Sequence, residues 1–122
     1  MKQVLLVEDD DSLALLAQRT LEREKFSVQR AVDGPQALEL LAQDPLPRLV
    51  LLDVMLPKLD GFEVLRRIRA DARTRDLPVI MVTSFSRDED AARARALGAN
   101  GYIVKPLMET DFLKRVRAAI GS

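Results

Sequence analysis

The 122-residue chain contains no cysteine and no histidine. The first absence excludes a disulfide framework, thiol catalysis and any thiolate zinc site. The second removes imidazole metal ligands, histidine-based catalytic triads and the usual general base. A surplus of charge of one sign is also missing: 19 Lys and Arg stand against 19 Asp and Glu, so the formal net charge is zero. A dedicated nucleic-acid binder carries a basic surplus to neutralise phosphates, so no direct contact with nucleic acid is expected. The arginines at 66, 67, 69, 73, 75, 93, 95, 115 and 117 alternate with acids, as solvated helix faces do. No apolar run approaches the roughly 20 residues that span a bilayer. Met1-Lys2-Gln3 leads straight into an apolar stretch rather than a signal-peptide pattern. A cytoplasmic location without a membrane partner is expected. There is neither a Walker pattern nor a G-x-G-x-x-G, which argues against a nucleotide-binding loop.

What is present is an alternation of two periodicities. Val4–Val7, Leu49–Leu52, Val79–Val82 and Tyr102–Val104 are short, continuous apolar runs, the pattern of strands buried on both faces. Phe26–Ala31 alternates apolar with polar residues and suits an edge. Between the runs lie helical patterns. Leu13, Leu16, Ala17, Thr20 and Leu21 fall on one face, with Asp11 or Ser12 available as cap. Pro35 suits a first helical turn leading to Ala37, Leu38 and Leu41. Asp60-Gly61-Phe62-Glu63 and Ser86-Arg87-Asp88-Glu89 read as capping boxes, and Gly98 ends the Ala-rich helix after Ser86. The last helix carries Glu109 and Asp111 early and Lys114, Arg115 and Arg117 late, matching its dipole. The reading is a single α/β domain over residues 1–122, a (βα)5 chain with a parallel sheet covered by helices on both faces.

Ligands of such sheets bind beyond the carboxyl ends of the strands. There the chain places Glu8, Asp9, Asp10 and Asp11 after the first run, Asp53 after the third, Thr83 and Ser84 after the fourth, and Lys105-Pro106 after the fifth. Singly, each has a plain explanation: acids capping a helix, a loop acid, a strand-end threonine, a surface lysine at a turn. Their joint placement on one edge points to one site. Three converging carboxylates raise one another's pKa values, and a hard divalent cation relieves the repulsion. A donor set of oxygens alone points to Mg2+, with Mn2+ able to stand in. Asp9 and Asp53 would ligate directly, Glu8 through a water, and the backbone carbonyl of Met55 would add a further oxygen. Mg2+ accepts phosphate oxygens, and a carboxylate can serve as a phosphoryl acceptor. Asp53 is the candidate nucleophile, Lys105 the partner of one phosphate oxygen and Thr83 of another. No residue is placed as a base for rapid hydrolysis, so the site would modify itself rather than turn over substrate.

The stretches Leu5–Asp10, Leu51–Gly61, Val82–Ser84 and Gly98–Pro106 resemble the successive motifs of the receiver domains of two-component response regulators, in order and over essentially the whole chain. The resemblance implies a doubly wound, flavodoxin-like sheet in the order 2-1-3-4-5 and a cis Lys105–Pro106 bond. It implies Asp53 as phosphoacceptor, Glu8 and Asp9 as the acidic pair, Lys105 as the site lysine, and Thr83 with Tyr102 as a switch pair. Phosphorylation would then reshape the surface of the fourth helix, fifth strand and fifth helix for a downstream protein. The implied donor is a histidine kinase or histidine phosphotransfer protein, with small acyl phosphates as substitutes. Asn100 and Gly101 stand where many winged-helix members carry acids, which looks more like a stand-alone or hybrid-kinase receiver. Met55 and Phe85, apolar and flanking the site, predict slow self-dephosphorylation. Two rival readings are weaker. A dehalogenase-type phosphatase needs a second Asp where Met55 stands, and a pseudo-receiver that binds partners without phosphorylation usually lacks one of the residues retained here.

Overall fold

The computed structural model describes residues 2–84 and 86–121, apart from the side chain of Lys2. Five strands, β1 (Lys2–Val7), β2 (Phe26–Ala31), β3 (Leu49–Asp53), β4 (Val79–Thr83) and β5 (Gly101–Val104), alternate with five helices. The helices are α1 (Asp11–Arg23), α2 (Gly34–Leu41), α3 (Gly61–Ala70), α4 (Asp88–Ala96) and α5 (Glu109–Ile120). All strand pairs are parallel and the order is β2-β1-β3-β4-β5. The alternating strand Phe26–Ala31 is an edge, as its pattern implies, with only its end residues buried.

The continuous apolar runs follow from two cores. Successive strand side chains point to opposite faces. Leu5, Val7, Val50, Leu52, Val79 and Met81 accordingly pack on one side with Leu65 and Ile68 of α3. Val4, Leu6, Leu49, Leu51, Ile80 and Val82 pack on the other with Leu21 of α1 and Phe112 of α5. Every residue of β3 and β4 is buried, so their strand-end groups Asp53 and Thr83 are held by a rigid base.

Two helix starts differ from the sequence reading. The cap of α1 is Asp10, whose Oδ1 accepts from the Leu13 amide at 3.0 Å, rather than Asp11 or Ser12. The buried face of α1 is Ala14, Ala17, Thr20 and Leu21, while Leu13 and Leu16 remain 39% and 57% exposed. Small side chains at 14 and 17 let the helix approach the sheet closely, and the neighbouring leucine stripe is turned outward. In α4 the cap position is Arg87, with no side-chain bond, so Ser86 does not close a capping box. Asp88, Glu89 and Asp90 supply the first turn with negative charge instead. Asp60 does cap α3, accepting from the Glu63 amide at 3.0 Å, but the Glu63 carboxylate turns to Arg66 and Arg67.

Hydrogen bonds from Arg66 and then Arg67 hold the Glu63 carboxyl at about 2. A carboxyl lowered by folding stabilises at pH above its ordinary value of 4.5, and that contribution fades as pH falls toward 2. The stability gap between the protein and Glu63→Gln should therefore shrink over that interval in acid-titrated urea denaturation. A gap that stays constant with pH would contradict the pairing.

Candidate functional site

Three loops at the carboxyl edge of the sheet bring the site together. Glu8 leaves β1 with its amide still bound to Ala31 O of β2 at 3.0 Å, and is 5% exposed. Asp53 ends β3, is 6% exposed, and takes the Met55 amide on Oδ1 at 3.1 Å. Asp9 is exposed beside them. Oxygens of the Glu8, Asp9 and Asp53 carboxylates lie within 4.8 Å of one another. Lys105 follows β5, its amide bound to Thr83 O at 2.7 Å. Its Nζ reaches Glu8 Oε1 at 2.6 Å and Asp53 Oδ2 at 3.2 Å. The Lys105–Pro106 bond is cis, as is Asp44–Pro45.

The electrostatics follow from burial. Desolvation pushes the Glu8 carboxyl above its usual range; the Lys105 hydrogen bond opposes this and the Asp53 charge adds to it. Burial alone would lower the Lys105 ammonium, but its bond to Glu8 and the Asp53 charge outweigh that and raise it. Lys105 therefore stays charged. Three carboxylates facing one ammonium leave negative charge in excess, and the donors are all hard oxygens, so a divalent cation fits the set. A cavity of about 80 Å³, lined by Leu6, Leu13, Val82, Leu107 and Phe112, adjoins Glu8, Asp53 and Lys105. Its apolar wall keeps the field between these groups strong.

Thr83 is fully buried at the end of β4, one residue beyond Val82, the register partner of Asp53. Its hydroxyl is hydrogen-bonded to Tyr102 of β5. Burial and then the Asp90 charge push the Tyr102 phenol up, against the Thr83 bond and Arg87. Thr83 and Tyr102, paired in the sequence reading, are in contact. Met55 is 61% exposed on the loop after Asp53, and Phe85 lies outside the described residues.

The sequence model of the response regulator receiver domain matches residues 4–117. The chain belongs to this family. Among curated relatives, this receiver is 40% identical over 120 residues to the DNA-binding dual master transcriptional regulator RpaA of Synechocystis, covering 98% of the chain and 49% of that protein. The chain spans about half the length of the first curated relatives it matches. Among solved structures, a putative response regulator from Chloroflexus aurantiacus superposes with a TM-score of 0.94 at 30% identity, covering 99% of this receiver and 98% of that chain. The receiver domain of sensor histidine kinase PA1611 from Pseudomonas aeruginosa has a magnesium ion coordinated in its active-site cleft. It matches with a TM-score of 0.89 at 30% identity, covering 99% and 98% of the two chains. Receiver domains are signalling modules rather than turnover enzymes. Among the described residues, no helix is long and apolar enough to cross a membrane.

Two residues near the site were not foreseen. Gly61 lies so close to β3 that a Cβ there would meet Asp53 O at 2.2 Å. Arg30 on β2 donates from Nε and Nη2 to Glu8 O at 3.0 and 2.8 Å. Arg30 stands next to the carboxyl end of β2, on the same sheet edge as the site, and that position is the signal the sequence carries for it.

Proposed function

We propose that the chain, residues 1–122, is one phosphoacceptor switch of a two-component system, phosphorylated on Asp53. The observation that carries this is the Lys105 ammonium bridging buried Glu8 and Asp53, with Asp9 alongside. Glu8, Asp9 and Asp53, with the Met55 carbonyl, would hold Mg2+ or Mn2+. When bound, the ion supplies positive charge to the carboxylates and to incoming phosphate oxygens.

The chain's own groups then divide the work. An Asp53 carboxylate oxygen attacks phosphorus; the new O–P bond forms as the bond to the donor breaks, its electron pair leaving with the donor. The Met55 amide, bound to Oδ1, orients the attacking group. Lys105, already on Oδ2, takes a phosphoryl oxygen. Thr83 donates its hydroxyl to another and so gives up Tyr102. Tyr102 then turns inward, away from the charges of Asp90 and Arg87 at the start of α4. Asp90 and Ala94 are the buried residues of α4, so this helix moves at low cost. Arg115 binds Tyr102 O at 3.2 Å, which extends the change to α5. A two-state element biased by local charge results.

The proposed donor is a histidine kinase or histidine phosphotransfer protein. The proposed output is a protein partner on α4, β5 and α5, in the cytoplasm, with no direct role for nucleic acid or membrane. Exposed Met55 beside Asp53 supports slow hydrolysis by hindering attacking water. Incubation with acetyl phosphate and Mg2+ should add one phosphoryl group to the intact mass. The addition should vanish on chelation and in Asp53→Asn. A metal-independent adduct, or none at all, would overturn the reading.

A further inference from the structure

The carbonyl of Glu8 has left the strand ladder and precedes the first hydrogen bond of α1, which runs from the Ala14 amide to Asp10 O. Arg30 meets it with two donors, Nε at 3.0 Å and Nη2 at 2.8 Å. The third arm of the guanidinium, Nη1, binds Asp11 Oδ1 at 2.9 Å. The Arg30 side chain is 21% exposed while Asp11 is 92% exposed, so the fork is seated in the protein and the acid lies over its outer side. Glu8 O belongs to the Glu8–Asp9 peptide, a rigid plane that carries the Cα atoms of both acids. On the other side of Glu8, its amide is fixed to Ala31 O at 3.0 Å. The edge strand β2 thus holds the main chain of Glu8 at both its donor and its acceptor.

We propose that Arg30 is a positioning residue for the acidic pair, setting the plane from which Glu8 and Asp9 project toward Asp53. The inference rests on the proposed metal-assisted chemistry of those carboxylates. Its signature is a reversal of sign. Removing a positive charge beside an acidic site should by Coulomb's law tighten cation binding. Losing the alignment of two ligand-bearing residues should weaken it, as loss of a partner that orients metal ligands commonly does.

The test is Mn2+ binding to the full chain, read from the free-ion electron paramagnetic resonance signal, alongside thermal unfolding of the metal-free protein. Arg30→Met should raise the Mn2+ Kd about tenfold despite its lower positive charge. Arg30→Lys keeps the charge but lacks the planar fork, and should raise the Kd about threefold. A Kd at or below the wild-type value in folded Arg30→Met overturns the proposal, even if the melting temperature falls, since a purely structural residue behaves that way. Should Arg30→Met fail to fold, Arg30→Lys decides, and a wild-type Kd there overturns it equally. If the wild-type chain binds no Mn2+, the metal reading itself fails and takes this inference with it.

Discussion

Lys105→Ala should lose at least about a hundredfold in the rate of phosphorylation by acetyl phosphate, the scale seen when a preorganised donor to developing charge is removed. The ammonium sits on Asp53 Oδ2 at 3.2 Å before any phosphate arrives, so it needs no rearrangement to stabilise the transferring group. Stability should respond in a second way. Glu8 and Asp53 are 5% and 6% exposed, and without the lysine they face each other and Asp9 with no cation between them. Breaking a fully buried pair costs about 3–5 kcal/mol. The site opens to solvent beside the exposed Asp9, so a loss of about 2 kcal/mol is expected at neutral pH. Removing the Lys105 bond takes away what holds the Glu8 carboxyl down, so the loss should diminish at pH below the raised Glu8 value, where that group is neutral. Mg2+ should stabilise the variant more than the wild type. Urea midpoints with and without Mg2+, and the phosphorylation rate by intact mass, check both parts. A variant that phosphorylates at the wild-type rate would remove Lys105 from the site.

Gly61→Ala should be the most damaging of the single-methyl changes. The added Cβ would stand 2.2 Å from Asp53 O and 2.8 Å from Val54 Cα. Both are backbone atoms, one in the last residue of β3 and one in the residue that follows it. The Gly61 amide is bound to Val54 O at 2.8 Å, and Asp60 is fixed as the α3 cap, so neither side can retreat cheaply. A cost of about 4 kcal/mol or more follows, a large share of a small domain's total stability. Gly121 is the contrast: nothing lies within 4 Å of its added Cβ, and only its φ of 79° opposes alanine, at about 1–2 kcal/mol. Guanidinium denaturation of the two variants should separate them clearly. Stability of Gly61→Ala within about 1 kcal/mol of wild type would mean that the approach of α3 to β3 is not as close as described.

The contrast between what sequence conveyed and what it concealed follows from the kind of information each residue carries. Val4–Val7 and Leu49–Leu52 were legible as doubly buried strands because continuous apolar runs of that length have few other homes. Asp53, Thr83 and Lys105 were legible because each directly follows such a run. The inward face of α1 was legible at Ala17, Thr20 and Leu21 but not at Ala14, because hydrophobicity favours leucines such as Leu13 and Leu16 while close packing against a sheet favours small side chains. The Ser86 capping box failed because a cap requires a backbone turn that composition does not reveal. The Arg30 clamp is a contact from side chain to backbone across 22 positions, and no local pattern encodes an acceptor just past the end of a neighbouring strand. The closeness of Gly61 to Asp53 O is likewise a tertiary fact, although the glycine itself was visible beside the Asp60 cap.

The most direct test of the account is to locate the phosphoryl group. Borohydride reduces an acyl phosphate to an alcohol, so a chain phosphorylated with acetyl phosphate and Mg2+, then reduced and digested, would carry homoserine wherever an aspartate had been modified. Homoserine is expected at position 53, and none at 9, 10 or 11. Homoserine at one of those positions, or a phosphoryl group on a serine or threonine that survives reduction, would contradict it.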